Sequence, residues 1–403
     1  MKEKAAQISV HSSLSLDYTI HDVKWVPSSV RFCVLAAHAR GTGSINIFEL
    51  ESHTPTIDED IDNNNGNKSS SLAMTLKQKG DHDNALKCGT FNASDKTERE
   101  FIAGDFNGQL ISFDLENLTK PTRIIKNAHD EIINCIDGFS NQNLQLCITG
   151  SRDGSVKVWD FRTNLSEPVV NFSPSSSAAA EDAASISSSE NINKTPSSSS
   201  SKPECWSVNI GNETNKNNPM ILAGYSDGTV KMYDIRKKRT KWETNTGRGV
   251  CGVEFDRKSI EMNKFMVTCL ESHSRVYDAR TFNENRGGFS SSVITPAAQN
   301  GPTIWGVKHS PFNRELSMFL HGNGTLSMYK YAYPQRRVLK LESGDNNEEL
   351  VGIAGQANLV AEKAVSTQPI NAFDWNRDKE GLALCSSFDS RIRLLFITGT
   401  KTL

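Results

Sequence analysis

One short pattern recurs along the chain and limits what it can fold into. An apolar, β-rich run meets a tight turn, and a second, alternating run ends in an aromatic residue followed by Asp. The clearest copy is LCITGSRDGSVKVWDFR, Leu146 to Arg162, with Asp153-Gly154 at the turn and Trp159-Asp160 at the end. Asp-Gly and Asn-Gly are favoured two-residue hairpin turns, because Gly takes up left-handed backbone without a steric penalty. ILAGYSDGTVKMYDIR (221–236) and FIAGDFNGQLISFDL (101–115) repeat the design. Weaker copies are LAAHARGTGSINIFEL (35–50), TCLESHSRVYDAR (268–280), FLHGNGTLSMYKY (319–331) and LCSSFDSRIRLLFIT (384–398). Seven hairpins result.

A further strand signal precedes the hairpins, as in VKWVPSS from Val23, CWSVNIG from Cys205, IWGVKHSP from Ile304 and FDWNRDKEG from Phe373. Strand, strand, turn, strand is the order of a propeller blade. The turns fall at Thr42, Asn107, Asp153, Asp227, Glu271, Asn323 and Asp389, so the steps are 65, 46, 74, 44, 52 and 66 residues. The unexpanded steps match the roughly 40–45 residues of a WD repeat. The expected fold is therefore all-β: one seven-bladed WD-repeat β-propeller over residues 7–398.

The last copy ends at Thr398, which leaves no room for an outer strand in its blade. QISVHS, from Gln7, resembles RIIKNAH, the segment from Arg123 that leads into the third copy. The N-terminal strand is thus expected to close the last blade and remove an open sheet edge. The long steps contain polar stretches at 52–71, 174–202 (Ser-rich) and 340–349 (acidic). None can bury enough apolar surface to offset the entropy of ordering, so all three are expected to be disordered loops between blades. They also explain a hydrophobic share of only 36%.

Lys plus Arg total 45 and Asp plus Glu 47, for a net charge of -2. Such a balance gives no bulk attraction to nucleic acid or to an anionic membrane. Residues 1–16 hold no apolar run suited to a signal peptide, and no stretch approaches a membrane helix. The eight Cys lie in or beside strand-like runs and form no CxxC pair, as expected of reduced structural thiols. A soluble, cytoplasmic, monomeric protein is expected, with neither nucleic acid nor membrane as partner and with no cofactor or metal.

The third copy holds the residues most suggestive of chemistry. His129, Ser151, Asp153 and Trp159 have the spacing of a buried structural hydrogen-bond network, with Thr149 as the alternative strand hydroxyl. A hydrolase triad is the competing reading. It lacks a nucleophile elbow and falls inside a repeat unit, so no catalytic residue is assigned. Gly41-Thr42-Gly43 lacks the final Gly of a dinucleotide loop, and Asp58, Asp60 and Asp62 lack the Gly and Glu of a calcium loop. Arg236-Lys237-Lys238-Arg239 reads as a solvated turn rather than a nuclear signal or nucleic-acid contact. Three hairpins end in Asp-x-Arg, at Arg162, Arg236 and Arg280. Each Arg is either a capping partner of its Asp or a contact for the adaptor of a cullin-type ubiquitin ligase.

Beyond the general repeat, several segments resemble the WD-repeat family of dynein axonemal assembly factors: VKWVPSSVRF, ARGTGSINIFEL, AGDFNGQL, HDEIINCIDG, KWETNTGRGVCGVEFDRKSIEMNK (241–264) and STQPINAFDWNRDKEGLALCSSFD (366–389). The resemblance covers about Gln7 to Thr398 outside the polar inserts. It implies a non-catalytic scaffold for axonemal dynein arm pre-assembly, working with a chaperone/co-chaperone complex of RuvB-like ATPases and prefoldin-like subunits, with dynein chains as clients. It also implies a link to apoptosis. A substrate receptor of a cullin-type ubiquitin ligase is the alternative. For the scaffold, Trp242 is a candidate exposed anchor, with a core position as the other reading.

Overall fold

The computed structural model describes residues 6–53, 71–96, 98–140, 144–163, 167–173, 202–211, 219–257, 261–284, 287–294, 301–343 and 347–400. Seven four-stranded antiparallel sheets follow one another around a ring. Blade one holds β2 (Thr19–Trp25), β3 (Arg31–Ala37), β4 (Gly43–His53) and β5 (Ser71–His82); blade two holds β6 (Leu86–Thr90), β7 (Glu100–Asp105), β8 (Leu110–Asp114) and β9 (Arg123–Ile125). Blade three is β10 (Ile133–Ser140), β11 (Gln145–Ser151), β12 (Val156–Asp160) and β13 (Val170–Phe172); blade four is β14 (Cys205–Gly211), β15 (Met220–Tyr225), β16 (Thr229–Asp234) and β17 (Arg239–Asn245). Blade five is β18 (Val250–Phe255), β19 (Lys264–Cys269), β20 (Ser274–Asp278) and β21 (Ser291–Ile294). Blade six is β22 (Ile304–His309), β23 (Leu316–His321), β24 (Thr325–Ala332) and β27 (Gln356–Ala364), with the hairpin β25 (Val338–Ser343) and β26 (Asn347–Gly352) inserted before its last strand. Blade seven combines β28 (Ile370–Trp375), β29 (Leu382–Ser387) and β30 (Arg391–Thr398) with β1 (Gln7–Ser15).

The two ends of the chain share that last sheet. β1 pairs antiparallel with β30, from Gln7 opposite Thr398 to Ser15 opposite Arg391. Ring closure by the N-terminal strand is as the repeat arithmetic requires.

The core is distributed rather than central. Seven apolar clusters each occupy one seam between neighbouring blades. The cluster between blades three and four, for example, joins Phe139, Ile148 and Val158 to Ile210, Ile221 and Tyr233. A second strand such as Met220–Tyr225 is covered on both faces and buried at every position. It therefore reads as a continuous apolar run rather than an alternating one. Outer strands face water on one side, and Arg239–Asn245 accordingly buries only Trp242.

The first strand of every blade lies innermost and packs against the first strands of both neighbours. Each carries a β-bulge at the same register position, from Ile20/Asp22 in blade one to Ile370/Ala372 in blade seven. A bulge increases local twist, which lets these strands curl around the axis.

Two expectations about the inserts change. Residues 340–349 are not a disordered loop: Val338–Ser343 pairs with Asn347–Gly352 in a regular hairpin. It packs back on blade five, where Ser290 Oγ donates to Gly352 O at 2.7 Å, so tertiary contact supplies what the polar sequence lacks. The stretches at 52–71 and 340–349 also lie inside blades one and six, between the third and fourth strands, and not between blades. Residues 54–70 and 174–201 lie outside the described residues.

Candidate functional site

In blade three, Asp153-Gly154 makes the hairpin turn, with Gly154 left-handed at φ 81°. The turn brings Asp153 beneath His129, whose Nδ1 is 3.0 Å from Asp153 Oδ2. His129 Nε2 lies 2.7 Å from Thr149 Oγ1, and Trp159 Nε1 donates to the same oxygen at 2.9 Å. An indole N–H only donates, so the Thr149 oxygen accepts from Trp159 and gives its own proton to His129 Nε2. His129 then carries its proton on Nδ1 and donates it to Asp153. Burial lowers the His129 pKa despite the neighbouring carboxylate. Burial by itself would raise Asp153, but His129 and Ser155 hold it well below the usual range.

Thr149, not Ser151, is the hydroxyl between His129 and Trp159. Ser151 stands on the same strand face but nearer the turn. Its oxygen accepts the Asp153 backbone N–H at 3.1 Å and its proton faces Glu131 O at 3.3 Å. His129, Thr149 and Trp159 are all but sealed from solvent, and the Thr149 oxygen is engaged on both sides. The arrangement ties a strand, a turn and the preceding loop together, and it offers a substrate no free nucleophile.

A second set of polar residues was not singled out in the sequence. The fourth residue after the first residue of each bulge is polar in every inner strand: Lys24, Thr90, Asp137, Asn209, Glu254, Lys308 and Asp374. Inner strands are sheet edges, so one row of their N–H groups has no strand partner. Side chains from the preceding blade fill that need. Asp137 Oδ2 accepts the Ile210 N–H at 3.0 Å, Asn209 Oδ1 the Phe255 N–H at 2.9 Å, Glu254 Oε1 the His309 N–H at 2.8 Å and Asp374 Oδ2 the Trp25 N–H at 2.8 Å. Together they line a cavity of about 430 Å³ at one mouth of the central channel. Burial raises the Asp374 carboxyl. Burial would raise Glu254 too, but Lys308, 3.2 Å away, and His309 hold it down. The recurrence of a polar residue at one register was the readable signal for this ring.

The Asp-x-Arg triplets differ from one another. Arg162 grips Asp160 with two nitrogens, at 2.6 and 3.0 Å. Arg280 does the same to Asp278, at 2.9 and 3.0 Å, with its guanidinium 5.4 Å from the Tyr333 ring centre. Arg236 is exposed on the turn after β16, where Asp234 instead accepts the Lys237 backbone N–H at 2.9 Å.

Trp242 is not an exposed anchor. It is 7% exposed, sits edge-on to Phe265, Tyr277 and Phe289, and donates Nε1 to Gly287 O at 2.9 Å. Strand alternation turns it into the seam between blades four and five while its neighbours face water. All eight Cys are free thiols. Among the described residues, no group of three or more His, Cys, Asp or Glu is placed to hold a metal ion, and no helix is long and apolar enough to cross a membrane.

Comparison with known proteins agrees with this architecture. Residues 86–310 match the family model described as "Nucleolar protein 10-like, N-terminal domain", a β-propeller. Proteins named dynein axonemal assembly factor 10 align over nearly the whole chain. The one from Chlamydomonas reinhardtii is 38% identical and the one from Homo sapiens 37%, each with 97% of both chains covered. The one from Dictyostelium discoideum is 25% identical over 93% of this chain and 91% of its own. With its seven blades, its N-terminal closing strand and this end-to-end likeness, the chain belongs to the dynein axonemal assembly factor 10 family of WD-repeat propellers.

Proposed function

We propose that this chain is a non-catalytic scaffold in the assembly of axonemal dynein. The observation that carries the reading is full-length similarity to proteins whose name states that role. The geometry is in keeping with it. The polar clusters of blade three and of the inner strands are engaged in holding the disc together, and a rigid disc with variable loops suits protein binding. In this reading the chain acts in the cytoplasm as a monomer. It holds dynein chains as clients close to a chaperone/co-chaperone complex of RuvB-like ATPases and prefoldin-like subunits.

The test is affinity capture of the tagged full-length chain from cytosol, with partners identified by mass. Enrichment of dynein chains together with chaperone subunits supports the proposal; recovery of neither refutes it. The ubiquitin-ligase alternative predicts cullin adaptor subunits, lost on Arg162→Ala, Arg236→Ala or Arg280→Ala. Its support is weaker, since Asp160 and Asp278 already occupy the guanidinium groups of Arg162 and Arg280.

A further inference from the structure

Several exposed arginines contact a carboxylate: Arg99, Arg152 and Arg248 each do so, as does the half-buried Arg314. The turn from β16 into β17 instead gathers cations that do not. Arg236, Lys237, Lys238, Arg239 and Lys241 are all exposed. Among the described residues, none of the five has an ion-pair partner. Five such cations in six positions stand out on a chain of net charge -2.

This turn borders an apolar surface. Lys241 Nζ lies 5.6 Å from the ring centre of Phe282, which is 40% exposed and leans on Phe289. The adjoining Thr281 meets Gly352 at the base of the β25–β26 hairpin. There Ile353 donates its backbone N–H to Arg337 O at 2.8 Å. Arg336 and Arg337 are exposed as well, followed by Val338 at 47% and Leu339 at 44%. A surface strip thus runs from blade four across blade five to blade six, with cations at the β16–β17 turn and at Arg336–Arg337, and with Phe282 and Val338 as its exposed apolar residues. Glu284 is an exposed acid beside Phe282.

We propose that this strip docks an acidic protein segment carrying apolar residues between its carboxylates. Two separated cationic clusters favour an anionic chain, through long-range attraction as well as contact. The exposed apolar residues select among anionic chains. Val338 is aliphatic and offers no flat ring for a base to stack on, whereas base stacking on aromatic rings supplies much of the affinity of single-stranded nucleic acid. An aliphatic or aromatic side chain of a protein fits both Phe282 and Val338, which shares the face of Gly352 that meets Thr281.

The probe is a short fluorescein-labelled peptide of Asp and Glu around a central Phe-Leu pair, titrated with the full-length chain and followed by anisotropy. A labelled oligouridylate of equal net charge is the comparator. The peptide is expected to bind, to weaken with added salt, and to lose at least about tenfold in affinity in Arg236→Glu/Arg239→Glu. Phe282→Ala, with every cation kept, is expected to lose about threefold or more. Lys120→Glu, an exposed change in blade two, should alter nothing; circular dichroism checks that each variant folds. The proposal is overturned if the peptide does not bind or if either strip variant binds it as wild type does. It is equally overturned if the oligouridylate binds more tightly than the peptide and is lost in Arg236→Glu/Arg239→Glu. The test uses the purified chain alone, so its failure would leave the dynein-assembly reading untouched.

Discussion

Asp374, in the innermost strand of the last blade, accepts the backbone N–H of Trp25, in the innermost strand of the first, at 2.8 Å. The bond crosses the closing seam of the ring and satisfies a donor that no strand can reach. Asp374→Ala leaves that N–H buried and unpaired, at an expected cost of about 1–3 kcal/mol. Asp374→Asn keeps an acceptor and removes a carboxyl whose pKa burial raises, so it should cost much less. Urea unfolding of both variants measures the difference.

Removing residues 1–15 strips β1 from β30 and uncovers a sheet edge. An unpaired edge invites association with other chains. The truncated protein should unfold at lower urea and self-associate, as read by light scattering. Adding the missing segment as a free peptide should reverse both effects.

Thr149→Val removes the acceptor of the Trp159 N–H and the partner of His129 Nε2. Two buried groups then lose their bonds, for an expected loss of about 2–4 kcal/mol. Ser151→Ala breaks only weaker contacts at the turn and should cost about 1 kcal/mol or less. A reversed order would contradict the assignment of the strand hydroxyl to Thr149.

Lys264 lies fully buried at the seam of blades five and six. Its Nζ donates to Arg314 O at 2.7 Å and stands 3.5 Å from Asp256 and 5.2 Å from the Tyr331 ring centre. Burial lowers its pKa to about 8 against the opposing pull of Asp256. Between about 8 and the ordinary 10.5, the unfolded chain holds this proton and the folded chain does not, so the Lys264 contribution to stability grows as pH rises. Wild type should therefore gain on Lys264→Met across that window. The comparison must be differential, because burial also raises thiols and tyrosines such as Cys385 and Tyr277, which act in the opposite direction.

The ring was legible where burial is two-sided and turns use Gly. LCITG, ILAG and FIAG are second strands covered on both faces, and Gly108, Gly154 and Gly228 take the left-handed turn position. In blades five and seven, Ser272 and Ser390 fill that position at φ 63° and 59°, so those hairpins read faintly. Outer strands of three residues, such as Arg123–Ile125 and Val170–Phe172, are too short to show a period. The β25–β26 hairpin is polar in sequence, and its order rests on contacts that only the folded blade five supplies. Thr149 and Ser151 share a strand face, so spacing alone did not separate them. Of the two readings of Trp242, exposed anchor or core, the alternation of β17 selects the core.

Function is tested most directly in Chlamydomonas reinhardtii, whose family member is 38% identical to this chain over nearly its full length. This chain would be expressed in cells lacking that relative, and dynein arms counted in axoneme cross-sections. Restored arms are the expected result. Arms still missing, with the chain folded and present at the level of the native protein, would contradict the proposed role as a dynein-assembly scaffold.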